Sequence, residues 1–128
     1  MKKFLFLNFL IFFQLFSNLH AESVAGKVSK GIKQYNSGKY ELALKHFIDA
    51  QVEAPEDPLI QYDIANTYFH MKNYEEAIKG YLNAAVKGDI NIEQRAYYNA
   101  GNGFYRQGKL QEAVEYYKKA LDLKPQDQ

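Results

Sequence analysis

Small and aromatic residues recur along the chain at a spacing that places them on one face of an α-helix. An alanine is followed by an aromatic residue four positions later and by a second alanine after three more, and this set occurs three times. Separations of three, four and seven residues bring side chains to the same helix face. The copies lie 34 and 36 residues apart, which predicts a helical repeat. The three sets are Ala43, Phe47 and Ala50; Ala77, Tyr81 and Ala84; and Ala113, Tyr117 and Ala120.

Each copy is predicted to contain two helices, so the chain is expected to be all-α. A small residue stands midway along each first helix, at Gly31, Ala65 and Gly101, where it lets the second helix approach closely. The two additional residues between the second and third copies are expected in the connection 88–93, because loops tolerate insertions. The first helices are predicted near 24–37, 58–71 and 93–107, and the second near 40–53, 74–87 and 110–123.

Turn residues stand where the predicted helices end and begin. Gly38 and Gly108 are expected to adopt the left-handed conformation that ends a helix, and Asn73 is expected to do so in the second copy. Asp57 precedes Pro58, which is the order of an N-cap followed by proline at the first helical position. These signals support three helix-turn-helix units.

The first residues differ from the rest and are typical of an export signal. Lys2 and Lys3 precede an apolar run at 4–16, and a short polar stretch then ends at Ala21. The run is too short for a standard transmembrane helix, although a retained membrane anchor and a first core helix are alternatives. No cysteine follows it, which excludes a lipid-anchored lipoprotein. The predicted domains are a signal peptide at 1–21 and a repeat domain at 22–128, with repeats at about 24–57, 58–93 and 94–128.

Composition and charge argue against several classes of function. The formal net charge of +1 provides no strong field for nucleic acid, and the lack of cysteine excludes disulfides and thiolate metal sites. His46 and His70 have no partner at metal-ligand spacing, and carboxylate pairs such as Glu75 and Glu76 fit solvated helix faces. We therefore expect no enzyme activity, no cofactor, no metal site and no nucleic-acid partner.

The full pattern of each copy resembles the tetratricopeptide repeat (TPR) family. The copies share a small residue at position 8, an aromatic at 11 or 12, alanine at 20 and 27, and an aromatic at 24. The third copy matches most fully, through Pro125, and the resemblance extends over 24–128. It implies three TPR units in a short right-handed superhelix (an α-solenoid), whose first helices line a concave groove that binds other proteins.

The segment 95–109 also resembles a phrase found in exported TPR proteins of bacterial aerotolerance (Bat-type) operons. That resemblance implies an adaptor in the bacterial cell envelope or periplasm, with von Willebrand A-type and MoxR-type partners. The alternatives are a periplasmic assembly factor for outer-membrane or cell-wall machinery, and an accessory domain of an enzyme complex. Membrane contact is expected only through the leader, if it is not cleaved.

The TPR resemblance places the partner-binding groove on specific positions of the second and third copies. Packing is not expected to require amides and exposed aromatics there, and tyrosine and arginine are typical interface anchors. Val28 and Ile32 occupy positions that would need polar side chains in a clamp for a C-terminal carboxylate, which argues against that mode. The predicted groove residues are Tyr62, Asn66, Phe69, His70, Arg95, Tyr98, Asn99, Asn102, Tyr105 and Arg106.

The last predicted helix carries an apolar stripe of Val114, Tyr117 and Leu121 at helical spacing. An adjoining helix would normally bury such a stripe. We therefore expect self-association, or contact with a neighbour, at the C-terminal end of the array.

Overall fold

Six α-helices joined by short turns form residues 21–123, the part of the chain that this computed structural model describes. Within that range there is no β-strand, in agreement with the all-α prediction. The predicted signal peptide lies outside the described residues except for Ala21, and Pro125 lies outside them as well. The helices are α1 (Val24–Asn36), α2 (Tyr40–Glu53), α3 (Pro58–His70), α4 (Tyr74–Lys87), α5 (Ile90–Arg106) and α6 (Leu110–Asp122).

Side chains at the helix starts explain why the helices begin where they do. The Ser23 hydroxyl accepts a hydrogen bond from the Gly26 amide at 3.0 Å, and the Asp57 carboxylate accepts one from the Leu59 amide at 2.9 Å. Pro58 occupies the first position of α3, as predicted. Each cap satisfies a backbone donor that has no partner within its own helix.

The start of α5 corrects the sequence prediction. The helix begins at Ile90 instead of 93, so the connection after α4 consists of Gly88 and Asp89 only. The Asp89 carboxylate accepts a hydrogen bond from the Ile92 amide at 2.9 Å and caps the helix. The two additional residues therefore lengthen α5 to 17 residues instead of enlarging a loop. The added turn buries Ile92 in the core.

The turn between α3 and α4 also differs from the prediction. Gly38 and Gly108 have φ angles of +72° and +75°, as expected, but in the second copy the left-handed residue is Lys72, at +62°. Asn73 instead has a φ of −89°, and its side chain accepts a hydrogen bond from the Glu76 amide. The amide side chain thus serves as an N-cap for α4, which an asparagine does better than a lysine.

Close helix contacts form where the sequence has small residues. A Cβ atom on Gly31 would lie 2.5 Å from the Phe47 ring, and one on Gly101 would lie 2.7 Å from the Tyr117 ring. Two core clusters result, one around Phe47 between α1, α2 and α3, and one around Tyr81 between α3, α4 and α5. Tyr68 packs against both clusters and links them.

Consecutive helices pack against one another, and α3 also contacts α5 directly. This stacking brings the first helices of the second and third units side by side, as the groove prediction requires. Across residues 21–123, no helix combines the length and the apolar character needed to cross a bilayer.

Candidate binding groove

A cleft of about 680 Å³ lies between α3, α5 and α6. It contains four of the predicted groove residues and also residues of α6, which the prediction did not include. Its surface is formed by Tyr62, Gln94, Arg95, Tyr98, Asn99, Tyr117, Ala120 and Leu121.

The remaining predicted residues lie along two other depressions or in a packed cluster. Asn66 belongs to a pocket of about 200 Å³ beside α1 and α2. A shallow cleft of about 460 Å³ follows the C-terminal ends of α3 and α5. This shallow cleft is lined by Phe69, Asn102, Tyr105, Arg106 and Tyr117.

A chain of hydrogen bonds runs from α6 through α5 to α3 beneath these clefts. The Tyr117 hydroxyl donates to Asn102 Oδ1 at 2.6 Å, and Asn102 Nδ2 donates to Asn99 Oδ1 at 3.3 Å. Asn99 Nδ2 then donates to the Tyr62 hydroxyl at 2.7 Å. The network fixes the relative positions of three helices, so the groove residues stand on a rigid support.

This network corrects the interpretation that packing does not require the groove amides. The carbonyl oxygens of Asn66 and Asn102 accept hydrogen bonds from Tyr81 and Tyr117, respectively, in corresponding places of two repeats. A carbonyl oxygen has two lone pairs, so each amide keeps some capacity for a partner. Their first role is nevertheless to join the two helices of a unit.

Aromatic and cationic side chains form the exposed part of the groove. Tyr98 and Tyr105 are more than half exposed. The Arg95 guanidinium lies over the Tyr62 ring, with its carbon 5.4 Å from the ring centroid. This distance is within the range of a cation–π interaction, which orients Arg95 while leaving it accessible.

His70 lies in an aromatic cluster at the ends of α1 and α3 and lines none of the three depressions. Its ring stacks on Tyr40 with centroids 5.2 Å apart and meets the edges of Tyr35 and Phe69. The structure therefore gives His70 a packing contact beside the groove.

Asp63 is a groove residue that the sequence analysis missed. It follows Tyr62 on α3 and lines the small pocket with Asn66. Burial raises the pKa of its carboxyl to about 6, with a further rise from the charge of Asp57 and an opposing effect of Arg95. Asn66 was among the predicted groove residues, and Asp63 lies three positions before it on the same face of α3. This spacing could have identified Asp63 from the sequence.

Gln94 was missed as well, because its role depends on a distant helix end. Its side-chain amide donates to the carbonyls of Ala120 at 3.1 Å and Leu123 at 2.9 Å. Ala120 lies in the last turn of α6 and Leu123 directly follows the helix, where backbone acceptors have no partner within the helix. Gln94 thus holds the end of α6 against α5 at the border of the large cleft.

The apolar face of α6 is exposed, whereas the corresponding face of α4 is covered by the helix that follows it within residues 21–123. Ala85 and Ile78 on α4 are only 3% and 7% exposed, because α5 covers them. The residues 36 positions later, Leu121 and Val114, are 77% and 51% exposed. Tyr117 differs from the predicted stripe, because its ring packs on Gly101 and its hydroxyl is bonded to Asn102. We name the exposed set Leu110, Val114 and Leu121 the end face.

Within residues 21–123, no three or more His, Asp and Glu side chains are grouped so as to hold a metal ion.

Six helices arranged as three successive helix-turn-helix units define this protein as an α-helical repeat protein. Matches to two family models show that it belongs to the tetratricopeptide repeat family. A family model described as "Tetratricopeptide repeat" matches residues 95–127. A second, described as "YpiA-like, tetratricopeptide repeats", matches residues 34–89.

Two solved structures illustrate the likeness in fold. The type III secretion translocator chaperone SycD of Yersinia enterocolitica is 27% identical, with a TM-score of 0.75 over 83% of this chain and 79% of that one. The first TPR of Spaghetti (RPAP3), solved bound to the HSP90 peptide SRMEEVD, is 25% identical, with a TM-score of 0.73 over 86% and 87% of the two chains.

Among curated proteins, the small glutamine-rich tetratricopeptide repeat-containing protein 2 of Saccharomyces cerevisiae is 32% identical over 94 residues. The match covers 73% of this chain and 27% of the yeast protein. The chain spans between 12% and 27% of the length of the first curated relatives that it matches. The likeness therefore concerns the repeat domain and not those whole proteins.

Proposed function

We propose that this protein is a non-catalytic adaptor that binds a segment of another protein in the groove along α3 and α5. The observation that carries this proposal is the set of exposed Tyr98, Tyr105 and Arg95 side chains above a hydrogen-bonded support. Rigid aromatic anchors lose little conformational entropy on binding, so such a surface favours association. The peptide-bound TPR of Spaghetti supports this use of the fold.

The bound segment is proposed to be internal to its partner and not a C-terminal tail. Val28 on α1 packs against the first core cluster, and Ile32 beside it is apolar. Neither side chain donates a hydrogen bond to a terminal carboxylate. Recognition then depends on the aromatic residues and arginines of α5.

The test of the groove is a paired substitution with a matched control. Tyr98→Ala together with Tyr105→Ala should weaken partner binding by about 1–3 kcal/mol, which is typical of interface anchors. Val52→Ala together with Val86→Ala removes two exposed apolar side chains of α2 and α4 and should leave binding unchanged. Full-strength binding by the tyrosine variant would refute the groove assignment.

We further propose that the protein is exported and acts in the bacterial cell envelope. The support is the sequence of the leader at 1–21 and the segment 95–109, which resembles Bat-type proteins. Intact-mass measurement of protein from envelope fractions should give a chain that begins at Glu22. An unprocessed Met1 terminus would contradict cleavage, and recovery only from the cytosol would contradict export.

The proposed partners are von Willebrand A-type and MoxR-type proteins of an aerotolerance complex. Affinity purification from envelope fractions should recover these proteins with the unsubstituted protein as bait. The tyrosine double variant is the control and should not recover them. Specific recovery of outer-membrane or cell-wall assembly proteins would favour an assembly factor instead. Recovery of an enzyme subunit would favour an accessory domain.

A second contact is proposed at the end face, which we expect to pair with the same face of a second copy. Val114 and Leu121 are equivalent to Ile78 and Ala85, which α5 covers on α4, so this part of the face resembles a helix-packing surface. Glu115, which pairs with Lys119 at 3.2 Å, and Lys118 lie on the same helix and carry opposite charges. An antiparallel second α6 can place each of them opposite its complement, which favours self-pairing.

A further inference from the structure

The small pocket beside Asp63 combines a carboxylate with apolar walls. It has a volume of about 200 Å³ and lies where α1, α2 and α3 meet. Ile32, Tyr35 and Phe47 form its apolar and aromatic sides. Its polar side chains are those of Asn36, Asp63 and Asn66. A long side chain with an aliphatic stem and a polar end matches this distribution.

Among residues 21–123, no cationic side chain forms an ion pair with the carboxylate of Asp63. Six ion pairs occur within residues 21–123, and none of them includes Asp63. Arg95, whose charge opposes the rise in the Asp63 pKa, is held over the Tyr62 ring. A half-buried carboxylate without a cation is costly, so a ligand cation would gain more here than at an exposed aspartate.

The groups around Asp63 are compatible with a positive charge. The carboxylate of Asp57 adds negative charge, and the hydroxyls of Tyr35 and Tyr62 lie close enough for Asp63 to raise their pKa values. Tyrosine rings attract cations through their faces. Arg95 is the only cation whose charge affects the pKa of Asp63 within the described residues.

We propose that the Asp63 pocket receives a lysine or arginine side chain of the segment bound in the groove. This inference rests on the proposed function of the groove and specifies one element of the partner's chemistry. The aliphatic stem packs between Ile32 and Tyr35, and the cationic end bonds to Asp63 and Asn66. The pocket then contributes selectivity for a basic residue, while Tyr98 and Tyr105 contribute the anchors.

The inference is tested on the purified full chain with two small probes. N-acetyl-lysine methylamide and N-acetyl-norleucine methylamide differ essentially in the ammonium group. NMR titration should show the lysine probe shifting the amides of Ile32, Tyr35 and Asn66, with affinity roughly tenfold above that of the norleucine probe, as a charge-assisted hydrogen bond gives. Saturation with the lysine probe should also lower the Asp63 pKa, measured from its carboxyl carbon.

The matched variant is Asp63→Asn, which keeps the shape and removes the charge. It should abolish the preference for the lysine probe while the protein remains folded. Arg95→Gln should strengthen lysine binding, because it removes a cation whose charge acts on Asp63. Equal affinity for the two probes, or a lysine preference that survives Asp63→Asn, would overturn the proposal.

The two proposals fail in different ways. Loss of partner binding in the tyrosine double variant, together with equal affinity for both probes, would refute the pocket and leave the groove supported. Full-strength partner binding by the tyrosine variant would refute the groove. The probe titration would then still report on the chemistry of the pocket.

Discussion

The hydroxyl of Tyr81 donates a hydrogen bond to Asn66 Oδ1 at 2.7 Å, joining the two helices of the second unit. The third unit repeats the arrangement between Tyr117 and Asn102 at 2.6 Å. The two tyrosines differ in burial, since Tyr81 is 2% exposed and lies beneath the following helix α5, whereas Tyr117 is partly exposed. The same interaction therefore exists in two environments within one molecule.

This difference predicts unequal effects of removing the two hydroxyls. Tyr81→Phe removes the hydrogen bond at a tyrosine that is almost fully buried and should lower the free energy of unfolding by about 1–2 kcal/mol. Tyr117→Phe should cost less, because Tyr117 is partly exposed and its hydrogen bond competes with water. Denaturant unfolding of both variants measures the difference, and equal losses would show that burial does not control it.

The contact between Gly101 and Tyr117 predicts that a single methyl group destabilises the third unit. A Cβ atom at Gly101 would lie 2.7 Å from the ring, so the ring or α6 must move. Gly101→Ala should lower the free energy of unfolding by about 1–3 kcal/mol, although alanine is the better helix former. Thermal and denaturant unfolding provide the measurement.

The control for this substitution is Gly26→Ala in the first turn of α1. Its added methyl would lie 3.1 Å from the flexible Glu22 side chain and 3.3 Å from the Ser23 hydroxyl, which are its nearest contacts outside the helix backbone. We expect no loss of stability there, or a gain of up to about 1 kcal/mol from helix propensity. A gain for Gly101→Ala similar to that of the control would contradict the close approach.

The raised pKa of Asp63 predicts how stability depends on pH. The carboxyl titrates near 6 in the folded protein and near 3.8 in the unfolded chain. The folded state therefore holds the proton more tightly, and the free energy of unfolding falls as the pH rises between these values. At neutral pH, Asp63→Asn should raise the free energy of unfolding by about 1–2 kcal/mol after allowance for solvent screening.

This expectation is checked by unfolding the parent and the Asp63→Asn variant between pH 3.5 and about 7.5. That range spans the titration of Asp63 in both the folded and the unfolded state. The advantage of the variant should appear as the pH rises and level off above about 6. Asp49→Asn on the exposed side of α2 is the control and should follow the parent. A variant less stable than the parent at neutral pH would mean that ionised Asp63 stabilises the fold.

The exposure of the end face predicts concentration-dependent association. Light scattering across a dilution series should show a mass that rises with concentration for the parent. Leu121→Lys should shift the protein to a monomer, since it places a charge within the apolar contact. Val86→Lys, on an exposed side chain of α4, should leave the association unchanged. A strictly monomeric parent at high concentration would remove the basis for this contact.

The sequence by itself determined the helices and their pairing to within a few residues. Alanine and aromatic residues at helical spacing mark the buried faces, and capping residues such as Asp57 act on backbone atoms two or three positions away. These signals are local, so they can be recognised without knowing the tertiary structure. Two local predictions were wrong, namely the start of α5 and the turn before α4. Asp89 and Asn73 are N-caps, although the sequence analysis placed them in a loop and a turn, respectively.

Only the tertiary structure decided which groove side chains are available and what surrounds them. Asn99 bonds to Tyr62 across 37 positions of sequence, and His70 is stacked on Tyr40 from another helix. The uncovered state of Leu121 and the pocket at Asp63 likewise follow from how the helices stack. Spacing within one helix specifies its faces, but the partner of a polar side chain depends on the packing of helices that are distant in sequence.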